Sequence, residues 1–349
     1  MILTMLRFLF AGLLLAATAA HAEPLPPLDA AGRAQLAAPV EDPAPKTLLG
    51  QAPGLENKHY LVGNEWHLDL YAPKIKPLGG AYLGVGSDQA YILLGMVRPQ
   101  VAWLTDYDDL VVELHKIYFA FFAEAADNEA FIKLWNDETA GAAVLSKRLA
   151  ADPQANELTK FYKRQRGRIA ERLQRVSKGF SKAKAQCFLN DLETYGYVRS
   201  LVTGGRLRAM RVDLLADKGV TSIAAAAKAM GQPVRAIYLS NAENYWSYSK
   251  QFRANLQALG FDDRSLVIRT VSTWDWNFDY SYNLQPALNY LSWLQKPWVH
   301  GYRDFVHWKR PAAGEFLSFE TKGDPEAEEL ARQKRGHAKP STSKIKAAN

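Results

Sequence analysis

The chain has 349 residues, with 43 Lys and Arg against 36 Asp and Glu, 48% hydrophobic residues, 23 Gly, 17 Pro and a single Cys. That apolar content supports a packed core and excludes a collagen-like or wholly disordered chain, and one cysteine excludes a disulfide-stapled scaffold. The formal net charge of +7 is a mild basic excess and gives only a weak hint about partners.

In chain order, Met1 to Ala22 reads as a secretory signal peptide. Arg7 supplies the charged start, Phe8 to Ala17 an apolar run, and Ala20-His21-Ala22 a small-x-small cleavage site. The run is shorter than the roughly 20 residues a membrane-spanning helix needs, and no later stretch is long enough. A periplasmic or secreted protein with no transmembrane segment after signal cleavage is expected. Residues 23–57 hold seven prolines and no sustained hydrophobic period, so they read as a linker or loosely docked arm. Residues 58–321 form the expected domain. Residues 322–349, charged and poor in large apolar side chains, read as a disordered basic tail.

Within the domain, Gly80 to Val85 reads as a strand, Gly86-Ser87-Asp88 as a turn, and Gln89 to Val97 as a helix stopped by Arg98-Pro99. Val101 to Thr105 is a second strand ending at Asp106, followed by a helix over about Leu110 to Ala125. A mostly helical insertion occupies 127–205. In it, Glu157 to Ala185 carries ten basic residues, Lys160, Lys163, Arg164, Arg166, Arg168, Arg172, Arg175, Lys178, Lys182 and Lys184, against Glu157 and Glu171. Such a run reads either as a solvated helix face or as a docking surface for an anionic surface or an acidic protein. Leu207 to Asp213, Val234 to Ser240 and Ser265 to Val271 are three further strands, separated by helices over Thr221 to Met230 and Tyr245 to Leu259. Five strands alternating with helices predict an α/β fold with an open, mostly parallel, Rossmann-like sheet and a helical insertion. Beyond the fifth strand, the aromatic stretch Thr273 to Asn283, with Asp275 and Asp279, reads either as core or as the wall of a groove for an acceptor.

The first strand and its turn carry the best chemical signal. Gly84 and Gly86 let the backbone bend and approach a ligand, with Ser87 and Asp88 following. Asp106 stands 20 residues beyond Gly86, where a carboxylate at the end of the second strand accepts hydrogen bonds from ribose hydroxyls. Gln89 replaces the third glycine of a dinucleotide fingerprint. An aspartate in the first helical turn already uses the positive helix end and repels a pyrophosphate. Asp88 therefore disfavours a dinucleotide and suits adenosine joined to a cationic end, as in S-adenosylmethionine, unless it only complements the helix dipole. Gly84, Gly86, Ser87, Asp88 and Asp106 are the candidate cofactor residues. After the fourth strand, Asn241, Glu243 and Tyr245 are candidate substrate residues, with a plain turn and helix cap as the alternative.

No metal site is expected, since His59, His67, His115, His300 and His307 have no tight ligand spacing. There is no nucleophile elbow and no phosphate-cradling Gly-Lys-Ser/Thr loop. Nucleic acid is a poor partner for an exported protein.

Gly84-Val-Gly-Ser-Asp-Gln, Val101-Ala-Trp-Leu-Thr-Asp106 with the helix through Leu114-His-Lys-Ile-Tyr-Phe, and Ile237-Tyr-Leu-Ser-Asn-Ala-Glu-Asn-Tyr245 resemble a bacterial family of uncharacterised proteins with a methyltransferase-like Rossmann fold. The resemblance spans roughly Tyr60 to Trp293. It implies a class I methyltransferase-type sheet with a crevice built from Gly84, Gly86, Asp106 and the end of the Tyr238 strand. Tyr82 stands where active methyltransferases often place an acid. Three functions are then open: an exported, methyltransferase-like protein binding a small polar or nucleoside-type ligand without a required reaction; an active S-adenosylmethionine-dependent methyltransferase; and an envelope interaction protein acting through 157–185.

Overall fold

Short runs rich in apolar residues, several of them preceded by glycine or proline, become strands, and four of the helices between them are started by aspartate. Asp108, Asp127, Asp137 and Asp191 each accept a backbone N–H in the first turn of the helix that follows. The computed structural model describes residues 25–49, 54–273, 278–306 and 323–337. The expected signal peptide, and the aromatic residues Trp274 and Trp276 with Asp275, lie outside them.

The strands are β1 (Ala81–Val85), β2 (Val101–Asp106), β3 (Leu207–Arg211), β4 (Val234–Ser240), β5 (Leu266–Ser272) and β6 (Tyr280–Pro286). They form one sheet in the order β3-β2-β1-β4-β5-β6, parallel throughout except where β6 pairs antiparallel with β5. The fold is thus the expected open α/β sheet, with one strand more than the sequence suggests. The Thr273 to Asn283 stretch contains the start of β6. Its alternation of Tyr280, Tyr282 and Leu284 with Ser281, Asn283 and Gln285 is hidden by burial of both sets, because Asn283 and Gln285 serve a buried arginine described below.

One face of the sheet is covered by α2 (Asp88–Val97), α3 (Asp109–Glu124) and the insertion, whose helices are α4 (Asn128–Asn136), α5 (Glu138–Arg148), α6 (Ala155–Lys182) and α7 (Leu192–Thr203). The other face carries α8 (Gly219–Ala229), α9 (Lys250–Ala258) and α10 (Ala287–Leu294). Each face has its own apolar core, and Tyr82, Leu104, Tyr238 and Ile268 alternate with Leu83, Trp103, Ile237 and Val267 between them.

The proline-rich segment, expected as a linker or loosely docked arm, is docked where the structure describes it. It carries α1 (Ala30–Ala37), and Trp103 Nε1 donates to the Leu36 carbonyl at 3.1 Å. Asp42, buried, accepts from the backbone N–H of Gly219 at the start of α8 and of Asp213, both at 3.0 Å. Within the expected disordered tail, Pro325–His337 forms α11, whose Glu329 pairs with Lys296 at 2.8 Å.

Candidate functional site

The strand order reverses between β1 and β4, and open α/β sheets hold ligands outside the carboxyl ends of their strands at such a point. A cleft of about 290 Å³ lies there. Its floor is Val85 and Gly86 after β1, Asp106 to Asp108 after β2, Val212 to Leu215 after β3, and Ser240 to Ala242 after β4. Leu48 and Leu49 of the arm, together with Lys58, Tyr60 and Asn64, close one side, and Tyr245 and Trp246 another.

Gly86 and Asp106 meet at the mouth. The Gly86 N–H donates to Asp106 Oδ2 at 3.2 Å, and the Asp108 N–H donates to Oδ1 at 3.0 Å. Gly86 sits at φ +87°, a conformation that suits glycine. Burial pushes the Asp106 carboxyl up from 3.8 to about 7, with the Asp108 carboxylate adding to the rise against backbone donors that pull it down. The following peptide is held too, since His115 Nε2 donates to the Gly86 carbonyl at 3.1 Å. Burial drives His115 down from 6.5 to about 4. A neutral ring that donates through Nε2 must accept through Nδ1, here from the Tyr91 hydroxyl at 2.8 Å. Beside the mouth, His59 Nδ1 lies 2.8 Å from Asp108 Oδ2, and Asp108 also caps α3.

The other sequence candidates divide. Asn241 and Tyr245 line the cleft, with Asn241 Nδ2 donating to the Tyr245 hydroxyl at 3.2 Å. Gly84 lies deeper in β1, where a Cβ would meet the Tyr82 hydroxyl at 2.2 Å. Its lack of a side chain makes room for Tyr82 rather than for a ligand. Ser87 is buried and donates to the Leu61 carbonyl at 3.0 Å. Asp88, expected near a ligand, is instead fully buried and paired with Arg172 of α6, Nε to Oδ2 at 2.8 Å, and it accepts from the Gly63 N–H at 2.6 Å. Glu243, expected at the substrate, turns away into the sheet. It pairs with buried Arg269, Nε to Oε2 at 2.6 Å, and accepts from Tyr290 at 2.7 Å and from Tyr248. Asn283 and Gln285 of β6 accept from the same guanidinium at 3.2 and 2.7 Å.

Sequence reasoning missed Glu65, which sits in irregular chain with no motif around it. It is 1% exposed beside the cleft. Its Oε1 accepts from the Tyr238 hydroxyl at 2.9 Å, from Thr270 at 3.3 Å and from Ser240, and its Oε2 accepts from Gln89 Nε2 at 3.0 Å. Ser240 holds φ +49° to do so, an uncommon conformation for a residue with a Cβ. Gln89 also receives the Ser87 N–H at 3.2 Å. The segment from Leu61 to Glu65 thereby covers the start of α2, where the residues are buried and the Ser87 and Ala90 N–H groups already donate within the chain. Among the described residues, no three His, Cys, Asp or Glu are grouped to hold a metal, and no helix is long and apolar enough to cross a membrane.

Residues 60–320 match the model of a family described as a domain of unknown function, DUF7790. The chain belongs to the DUF7790 family. The match covers the whole sheet, the insertion and the cleft floor, while the arm that closes one side of the cleft precedes it. The DUF7790 description carries no reaction. A comparison with curated proteins finds no match.

Proposed function

We propose that this protein is an exported, methyltransferase-like member of its family that binds a nucleoside-type small molecule in the cleft at the ends of β1, β2 and β3. The observation that carries the reading is the Gly86 N–H bound to Asp106 Oδ2 at the mouth of a cavity of about 290 Å³. Above about pH 7, where Asp106 is ionised, a ribose-like diol would donate to its carboxylate, and the base would lie against Val111, Leu48 and Leu214. The covered α2 N-terminus offers no open seat for a pyrophosphate, which favours a ligand without one. The resemblance of the β1, β2 and β4 motifs to methyltransferase-like proteins supports S-adenosylmethionine or its demethylated product as the first ligands to try. The leader read in Met1 to Ala22 supports a periplasmic or secreted location.

Calorimetry of the mature chain against adenosine, S-adenosylmethionine and the demethylated product tests this. Binding of at least one, weakened tenfold or more by Asp106→Ala, is the expected result, because hydrogen bonds to a charged group contribute about 1.5–3 kcal/mol each. Heat from none of the three at millimolar concentration, or affinity indifferent to Asp106→Ala, rejects the assignment. Methyl transfer itself is the narrower reading, and it requires consumption of S-adenosylmethionine in addition to binding.

A further inference from the structure

The insertion helix α6 presents a second surface unrelated to the cleft. Its inner face, Leu158, Phe161, Tyr162, Ile169, Leu173, Val176 and Phe180, is buried. On the outer face, Lys160, Arg164, Arg168, Arg175, Lys178 and Lys182 are all exposed. At 3.6 residues per turn these six fall within about 80° of arc and extend over about 33 Å. Glu171 is the sole acid within that stripe, and it pairs with Arg175, while Lys160 pairs with Glu157 at its border at 2.7 Å. Among the described residues, Arg164, Arg168, Lys178 and Lys182 form no ion pair. Arg172, read from sequence as one of this run, lies off the stripe and is sealed inside against Asp88.

We propose that this stripe is an electrostatic docking surface for an anionic lipid bilayer. Charge complementarity supplies the attraction. The form of the stripe selects the partner: the cations are spaced along a straight line on long flexible stems, no large apolar residue of α6 stands among them, and among the described residues the one aromatic ring against a stripe cation is that of Trp66, under Arg175. A protein interface draws its energy from a cluster of buried aromatic and apolar side chains at its centre, and the single, partly exposed Trp66 does not make such a cluster. A laterally mobile sheet of anionic headgroups needs only cations in a row, each worth about fivefold in affinity near the surface. The contact would be peripheral, reversible and weakened by salt.

The test is co-sedimentation of the mature chain with vesicles of phosphatidylcholine alone and with 30% phosphatidylglycerol, at 50 and 300 mM salt. Binding to the anionic vesicles alone, falling at high salt, is expected. Arg164→Glu, Arg168→Glu, Lys178→Glu and Lys182→Glu together should lower it at least tenfold, and the corresponding alanine set should lower it less. A control set of equal charge change elsewhere, Lys74, Lys76, Lys228 and Lys250 each to Glu, should retain most of the binding. Circular dichroism and thermal melts confirm that each variant folds. The proposal is overturned by no sedimentation of the wild type at 50 mM salt, or by equal loss in both charge-reversal sets, which would mark net charge alone. Retention on immobilised polyglutamate without vesicle binding would also overturn it, in favour of an acidic polypeptide.

Discussion

Asp106 and His115 hold the two peptides that flank the Gly86 Cα, with opposite dependences on pH, and single substitutions should unmask each. Folding raises the Asp106 carboxyl from 3.8 to about 7. Between those values the folded chain keeps a proton that the unfolded chain has released, so stability falls as pH rises through this window. The full displacement corresponds to about 4 kcal/mol, and the open side of Asp106 toward the cleft reduces this to about 2 kcal/mol. His115 falls from 6.5 to about 4 on folding. There the unfolded chain binds the extra proton, so stability drops as pH falls from 6.5 to 4, by about 3 kcal/mol. In the wild type the two slopes oppose each other. Asp106→Asn should therefore gain about 2 kcal/mol relative to wild type between pH 4 and pH 8. His115→Gln, which keeps a donor for the Gly86 carbonyl, should gain on the wild type in the opposite direction, from pH 7 down to pH 4. Urea unfolding followed by tryptophan fluorescence at half-unit steps measures both. A difference between Asp106→Asn and wild type that stays constant across pH 4 to 8 would refute a buried, protonatable carboxyl at the cleft mouth.

Other substitutions separate packing from binding. Arg172→Met leaves Asp88 buried without its cation and should cost about 3–5 kcal/mol in urea unfolding; the double variant with Asp88→Asn should recover part of that loss, and no recovery would mean that the pair is not coupled. Glu243→Ala should destabilise by a similar amount while leaving cleft affinity unchanged in the folded protein, so a selective loss of ligand binding would return Glu243 to the site. Asp42→Ala removes the remote cap of α8 and should cost about 1 kcal/mol, read as a fall in thermal midpoint. Gly84→Ala forces a methyl group against Tyr82 and should cost about 1–3 kcal/mol, relieved by Tyr82→Leu if that contact is the cause.

Five of the six strands were legible as short segments rich in apolar residues, though β3 alternates them with Arg208 and Arg211, and their alternation with helices implied the parallel sheet. The bend at Gly86 and the carboxylate at Asp106 were legible for the same reason, since strand ends lie where open sheets expose their chemistry. What the sequence concealed is side-chain direction over long separations. Asp88 and Arg172 stand 84 positions apart, and nothing local marks one cation of a basic run as buried. Glu243 stands in a polar turn that reads the same whether its carboxylate meets a ligand or Arg269. The polar half of β6 concealed a strand because its partner, Arg269, is hidden in the neighbouring strand. Glu65 lacked any signal at all, as an acid in irregular chain is usually solvated.

The central position of β1 has a temporal consequence. Ala81 pairs with Val101 on one side and with Val234 on the other, so the entire insertion is made before the middle strand gains its second neighbour. The arm waits equally long, because Asp42 has no Gly219 to meet until α8 exists. Synthesis order and assembly order thus diverge: the arm is made before the sheet yet settles after it, and closure of the sheet depends on completing β4 rather than on local collapse.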